Sequence, residues 1–158
     1  MLVYHINFGY PILDEGAKCY FSTTKVAPRT DFAAEGMHNY DIMEAPGIER
    51  DEQCYFHTGH GEGESFAMLH NENLGIAAIV RYDKEQFPLM CEWKCMRAGD
   101  YALGLEPCTC GVVNRSVVRA DGTLPFLEPG QSRELNITIE LTDDIARIES
   151  YKARSGKC

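Results

Sequence analysis

Apolar and polar positions along this chain change over in short runs, and most of the runs have a period of two. Leu2 to Leu13 opens the pattern. Tyr4, Ile6 and Phe8 share one face of an extended segment, and His5 and Asn7 share the other, because residues two apart in a strand point the same way. Ala17 to Phe21 and Gln53 to His57 read as further strands. Ser65 to His70 and Gly75 to Tyr82 read as a hairpin turned at Asn71-Glu72-Asn73. The stretch FPLMCEWKCMRAGDYALGLEP predicts a second hairpin, with arms Leu89–Met96 and Tyr101–Glu106 and a turn at Arg97-Ala98-Gly99-Asp100. Arg133 to Leu141 alternates polar with apolar, the mark of a half-buried strand.

Between these runs lie turn-forming residues. Ser22 to Gly36 is turn-like, with one helical turn over Asp31–Glu35, capped by Asp31 and stopped by Gly36. Thr58 to Glu64 is a glycine-rich surface loop, and Cys108 to Val118 reads as a loop. The residues after Thr142 suit a short helix capped by Thr142 and led by Asp143-Asp144. Many short strands with little helix predict an all-β sandwich or barrel. The expected division is one β domain over 1–141 and a tail over 142–158.

Composition narrows the function. The 158 residues suit one domain with a real core, and the formal net charge is −9. Acidic residues are scattered and no basic stripe exists, which argues against nucleic acid or an anionic membrane as partner. No apolar run approaches the roughly 20 residues of a membrane span. The start carries no signal-peptide pattern, so a cytoplasmic location is expected. Seven cysteines, an odd number, fit free thiols in a reducing compartment better than a disulfide framework. The abrupt start inside dense β sequence suggests material upstream.

Candidate chemistry is uneven. His57 and His60, with Glu62 and Glu64, loosely resemble the ligand cluster of a metal-binding cupin barrel. Their His-x-x-His spacing does not place both rings on one strand face, so no metal and no cofactor is expected. Cys91 with Cys95 and Cys108 with Cys110 lack the common zinc-ribbon spacing. No Gly-x-Ser-x-Gly is present. The remaining polar set is His5, Asn7, Glu52, Trp93, Lys94 and Glu106. Sugar sites combine an aromatic platform with amides, carboxylates and bases, so the set suits a carbohydrate. A scatter of solvated polar residues around one core tryptophan is the competing reading.

Four segments carry a family resemblance: YHINFGYPILDEG, NENLGIAAIVRYDKEQFPLMCEWK, GDYALGLEP and GTLPFLEPGQSRE. Together they resemble the aldose 1-epimerase-like branch of the galactose-mutarotase-like group, over nearly the whole chain to Leu141. The resemblance implies a β-supersandwich of which this chain matches the C-terminal half. It implies an isomerase that interconverts aldose anomers. His5 would protonate the ring oxygen as general acid, and Glu106 would take the anomeric hydroxyl proton as base. Asn7, Glu52, Trp93 and Lys94 would bind the sugar, with Asp51 as near to the family's hydroxyl-binding carboxylate as Glu52. The family's other active-site histidine lies upstream of everything here. The half-length match leaves open whether the chain turns over alone and whether it self-associates through exposed strand edges. The imidazole and carboxylate are expected to face one pocket about a sugar ring apart. A non-catalytic carbohydrate-binding sandwich is the alternative, and a cupin-like metal barrel the second.

Overall fold

The computed structural model describes residues 1–48 and 50–156. Nine strands form two antiparallel sheets. In chain order they are β1 (Ile6–Phe8), β2 (Lys18–Phe21), β3 (Thr23–Pro28), β4 (Gln53–His60), β5 (Ser65–Asn71), β6 (Ile76–Tyr82), β7 (Leu89–Cys95), β8 (Ala102–Cys108) and β9 (Ile137–Thr142). Three α-helices, α1 (Asp31–Glu35), α2 (Arg115–Ala120) and α3 (Ile145–Arg154), and a 3-10 turn over Met37–Asn39 join or flank them among the described residues. The first sheet runs β1-β8-β7-β4-β3, and the second runs β2-β5-β6-β9. The fold is therefore the all-β sandwich that the alternating runs predict.

The period of two explains how the layers meet. Met90, Leu103, Leu105 and Phe8 of the first sheet pack on Phe21, Leu69, Ala78 and Val80 of the second. The other face of β5 and β6 is also covered: Phe66, Met68, Ala77 and Ile79 pack under Ile148 and Tyr151 of α3. Burial on both faces is why these two strands read as nearly continuous apolar runs rather than alternating ones. On β9, Ile139 pairs with Val80 and Leu141 with Ala78. They point toward the space between the sheets, yet are 54% and 70% exposed. The first sheet does not reach over them.

Several sequence expectations shift. Thr23–Pro28 is an edge strand, hidden by its threonines and proline, which are tolerated at an edge where one side of the ladder is unpaired. β4 runs on to His60 because Thr58 and His60 pair with Lys25 and Thr23. Thr30, not Asp31, caps α1: its hydroxyl accepts from the Ala33 amide at 3.1 Å. Asp144 rather than Thr142 caps α3, accepting from the Arg147 amide at 3.2 Å. Residues 133–136 do not join β9; Asn136 N instead donates to the Gln86 side-chain oxygen at 2.8 Å, and the Arg133 guanidinium to Gln86 O at 3.2 Å. α2 begins inside the Cys108–Val118 segment expected to be loop and runs past its end. No helix among the described residues is long and apolar enough to cross a membrane.

Candidate active site

Strand register assembles the site on the outer face of the first sheet. Asn7 lies opposite Gly104 and Ile6 opposite Leu105. On the other side of β8, Trp93 lies opposite Gly104 and Cys91 opposite Glu106. One step further, Cys54 lies opposite Trp93. His5, Asn7, Gly104, Glu106, Trp93, Cys91 and Cys54 therefore share one face, and Ile6, Leu105, Glu92 and Lys94 share the inner one.

His5 Nε2 approaches Glu106 Oε1 at 3.0 Å, with the His5 side chain 50% exposed and that of Glu106 3%. The ring's other nitrogen, Nδ1, bonds Asn7 Oδ1 at 2.7 Å. An amide oxygen only accepts, so Nδ1 carries the hydrogen and Nε2 faces the carboxyl. The Nε2–Oε1 approach has ion-pair distance without hydrogen-bond alignment, and Oε1 is a buried acceptor with no hydrogen-bond donor. Burial pushes the Glu106 carboxyl above its ordinary pKa, opposed by the His5 charge and by a hydrogen bond from the Cys91 thiol.

Gly104 makes this arrangement fit. The Glu106 carboxylate bends back along β8, and a Cβ at position 104 would collide with its Oε1. The glycine also leaves a shallow floor between β1 and β7. Across it the His5 and Trp93 rings meet edge to face, with centroids 5.3 Å apart. The indole N–H then donates to Glu52 Oε2 at 2.7 Å. A cleft of about 410 Å³ opens beside the indole, lined by Asp51, Glu52, Trp93, Cys95, Arg97 and Asp100. His5 and Glu106 are not in that lining; Trp93 lines the cleft and also meets the His5 ring. A larger cleft, about 510 Å³, lies elsewhere, against β2 and α3, and holds none of these residues.

The structure thus gathers His5, Asn7, Glu52, Trp93 and Glu106, and it removes Lys94. Lys94 is buried on the inner face, where Nζ donates to Asn39 O at 3.0 Å and Ile42 O at 2.7 Å and pairs with Glu44 Oε2 at 2.8 Å. Strand neighbours point to opposite faces, so Trp93 and Lys94 cannot line one site. A second correction concerns spacing. His5 and Glu106 touch rather than standing a sugar ring apart, because adjacent strands bring opposed side chains within about 5 Å.

The cupin-like reading also fails on geometry. His57 is fully buried against Glu92, while His60 bonds Pro88 O at 2.9 Å. Among the described residues no three His, Cys, Asp or Glu side chains are grouped to hold a metal ion. Cys91, Cys54, Arg29 and Gly104 are the site neighbours that sequence reasoning missed. Only Gly104-x-Glu106 carried a readable sign: a glycine two residues before a buried acid, on the same face.

An aldose-epimerase-like β-sandwich is the class that this fold defines. The chain belongs to the family described as Domain of unknown function (DUF4432), whose model matches residues 1–141. It is also similar to the crystal structure of a "putative aldose 1-epimerase" from Klebsiella pneumoniae subsp. pneumoniae MGH 78578. That match has a TM-score of 0.88 at 26% sequence identity and covers 96% of this chain. The chain spans 41% of that protein's length. A comparison with curated proteins gives no match.

Proposed function

We propose that the chain carries an acid–base site of the aldose 1-epimerase type, acting on a small sugar. The observation that carries the reading is the His5–Glu106 contact: a half-exposed imidazole against a buried carboxyl of raised pKa, beside the chain's single tryptophan. Direct contact suits this chemistry. The ring oxygen and the anomeric hydroxyl of an aldose are bonded to the same carbon, so two adjacent groups reach both.

Glu106 takes the anomeric O–H proton. Protonated His5 gives the Nε2 proton to the ring oxygen as the C1–O bond breaks. Asn7 holds the ring orientation through Nδ1. The open-chain aldehyde turns about C1–C2 and closes on the other face, with His5 now base and Glu106 acid. A carboxyl whose pKa burial has raised is a stronger base toward the sugar hydroxyl than a fully solvated glutamate. Trp93 supplies the apolar platform, and Glu52, held by the indole N–H, presents its other oxygen to sugar hydroxyls.

The non-catalytic carbohydrate-binding reading draws on one observation: the Trp93–Glu52 cleft excludes His5 and Glu106. Exchange NMR between sugar anomers separates the two. Acceleration by the folded protein supports the isomerase. Trp93 fluorescence that responds to a sugar without any acceleration supports the binding module. The described cysteines are free thiols, which fits a reducing compartment such as the cytoplasm. The uncovered apolar side of β9 fits self-association, which sedimentation velocity measures.

A further inference from the structure

Beside Glu106 the same outer face holds three thiols that the proposed sugar chemistry does not use. Cys54, Cys91 and Cys108 pack together with Phe56, Leu89 and Trp93. Register puts them there: Cys91 opposes Phe56 and Glu106, and Cys54 opposes Trp93. Cys54 and Cys91 are thus diagonal neighbours across β4 and β7.

The three differ in their surroundings. Cys108 is fully buried, and its S–H donates to Glu106 O at 3.1 Å. Cys91 is 1% exposed, and its single S–H lies between the Cys54 sulfur and the Glu106 carboxyl, donating to one of them at a time. Cys54 alone has a cation on its sulfur: Arg29 Nη1 lies 3.7 Å from Sγ. Arg29 makes no ion pair among the described residues, so its guanidinium is spent on that sulfur. Cys54 is also 6% exposed, against 1% for Cys91 and none for Cys108. A positive group and an S–H donor converging on one sulfur favour the thiolate, the reactive form of cysteine.

We propose that Cys54 is a modification site, a nucleophilic thiolate held by Arg29 and the Cys91 S–H. It takes small peroxide-class oxidants and soft alkylating electrophiles. With hydrogen peroxide, the sulfur attacks one peroxide oxygen: an S–O bond forms, the O–O bond breaks, and hydroxide leaves to become water. The sulfur loses two electrons to the peroxide and ends as a sulfenic acid. With iodoacetamide, an S–C bond forms and iodide leaves. Its acidity agrees: the Cys91 hydrogen bond, helped by Arg29 against the opposing effect of burial, brings the Cys54 thiol down to about 7, while burial pushes Cys108 up to about 12. The assignment does not depend on the sugar chemistry, and its test reads no sugar.

The test is peptide-mapped alkylation of the folded protein by limiting iodoacetamide across a pH series, with peroxide plus a sulfenic-acid trap in parallel. Cys54 should react ahead of Cys19, Cys91, Cys95, Cys108 and Cys110, with a rate midpoint near 7. Arg29→Gln should raise that midpoint and slow the reaction at neutral pH by roughly two- to fivefold, because lower thiolate content outweighs its higher intrinsic nucleophilicity. Arg29→Lys should restore much of the rate. Near-UV circular dichroism checks that each variant is folded. The assignment is overturned if Cys54 reacts no faster than Cys91 or Cys108 with either reagent. A midpoint in the ordinary thiol range, about 8.5, that Arg29→Gln leaves unmoved overturns it equally.

Discussion

Two glutamate–histidine pairs sit in the same sheet at the same distance, on opposite faces. His5 and Glu106 approach at 3.0 Å on the outer face; His57 and Glu92 approach at 3.0 Å on the inner one. Burial raises both carboxyls above their ordinary pKa. A shifted carboxyl therefore does not mark the site. Access does: the His5 side chain is 50% exposed, whereas His57 and Glu92 are fully buried. The His57 ring stacks on Phe21 with centroids 3.8 Å apart, closing it off further. β7 shows the same division within one strand. Cys91 and Trp93 face the proposed site; Glu92 and Lys94 face the core, where Lys94 is tied to three oxygens.

If this division is right, substitutions on the two faces separate function from stability. The largest effect is expected at Glu106. Glu106→Gln should slow anomer exchange by about 10²–10⁴-fold, the usual worth of a general base, with thermal stability unchanged or slightly higher. His57→Ala should do the reverse. It leaves Glu92 buried without its partner and should lower stability by about 3–5 kcal/mol in urea titrations, while exchange per folded molecule is kept. Gly104→Ala comes next. Its Cβ displaces the Glu106 carboxylate, and a displacement of about 1 Å costs up to about 10²-fold in exchange rate.

The smallest effect is a pH slope. Glu92, with its folded pKa raised by burial, binds a proton more tightly than the unfolded chain does. The stability this contributes is fully present below the ordinary glutamate value of 4.5 and is lost as pH rises through the raised one. Glu92→Gln should flatten that fall in denaturation midpoints measured across the acid range. An unchanged slope would locate the pH dependence elsewhere.

Much of this architecture could be read from the pattern of residues. The hairpins at 65–82 and 89–106, the opposed faces of His5 and Ile6, and the sandwich class all follow from a period of two and turn chemistry. That same period puts Lys94 on the far side from Trp93, so their adjacency in sequence does not make them neighbours in the site. Other features were out of reach for physical reasons. The edge strand β3 carries threonines and a proline that read as turn. α2 contains Val117 and Val118, whose branched side chains speak for strand, while Asn114 caps it by accepting from the Ser116 amide. The Cys54–Cys91–Glu106 neighbourhood joins β4 to the β7–β8 hairpin, two segments distant in sequence, and only the sheet order brings Cys54 there.

The most direct test pairs one change from each face. Anomer exchange by saturation-transfer NMR would be measured for the wild-type protein, His5→Ala and His57→Ala, each normalised to its folded fraction. The account predicts exchange lost in His5→Ala at nearly wild-type stability and kept in His57→Ala at much reduced stability. Equal exchange in the wild type and His5→Ala, or loss in both variants alike, would contradict it.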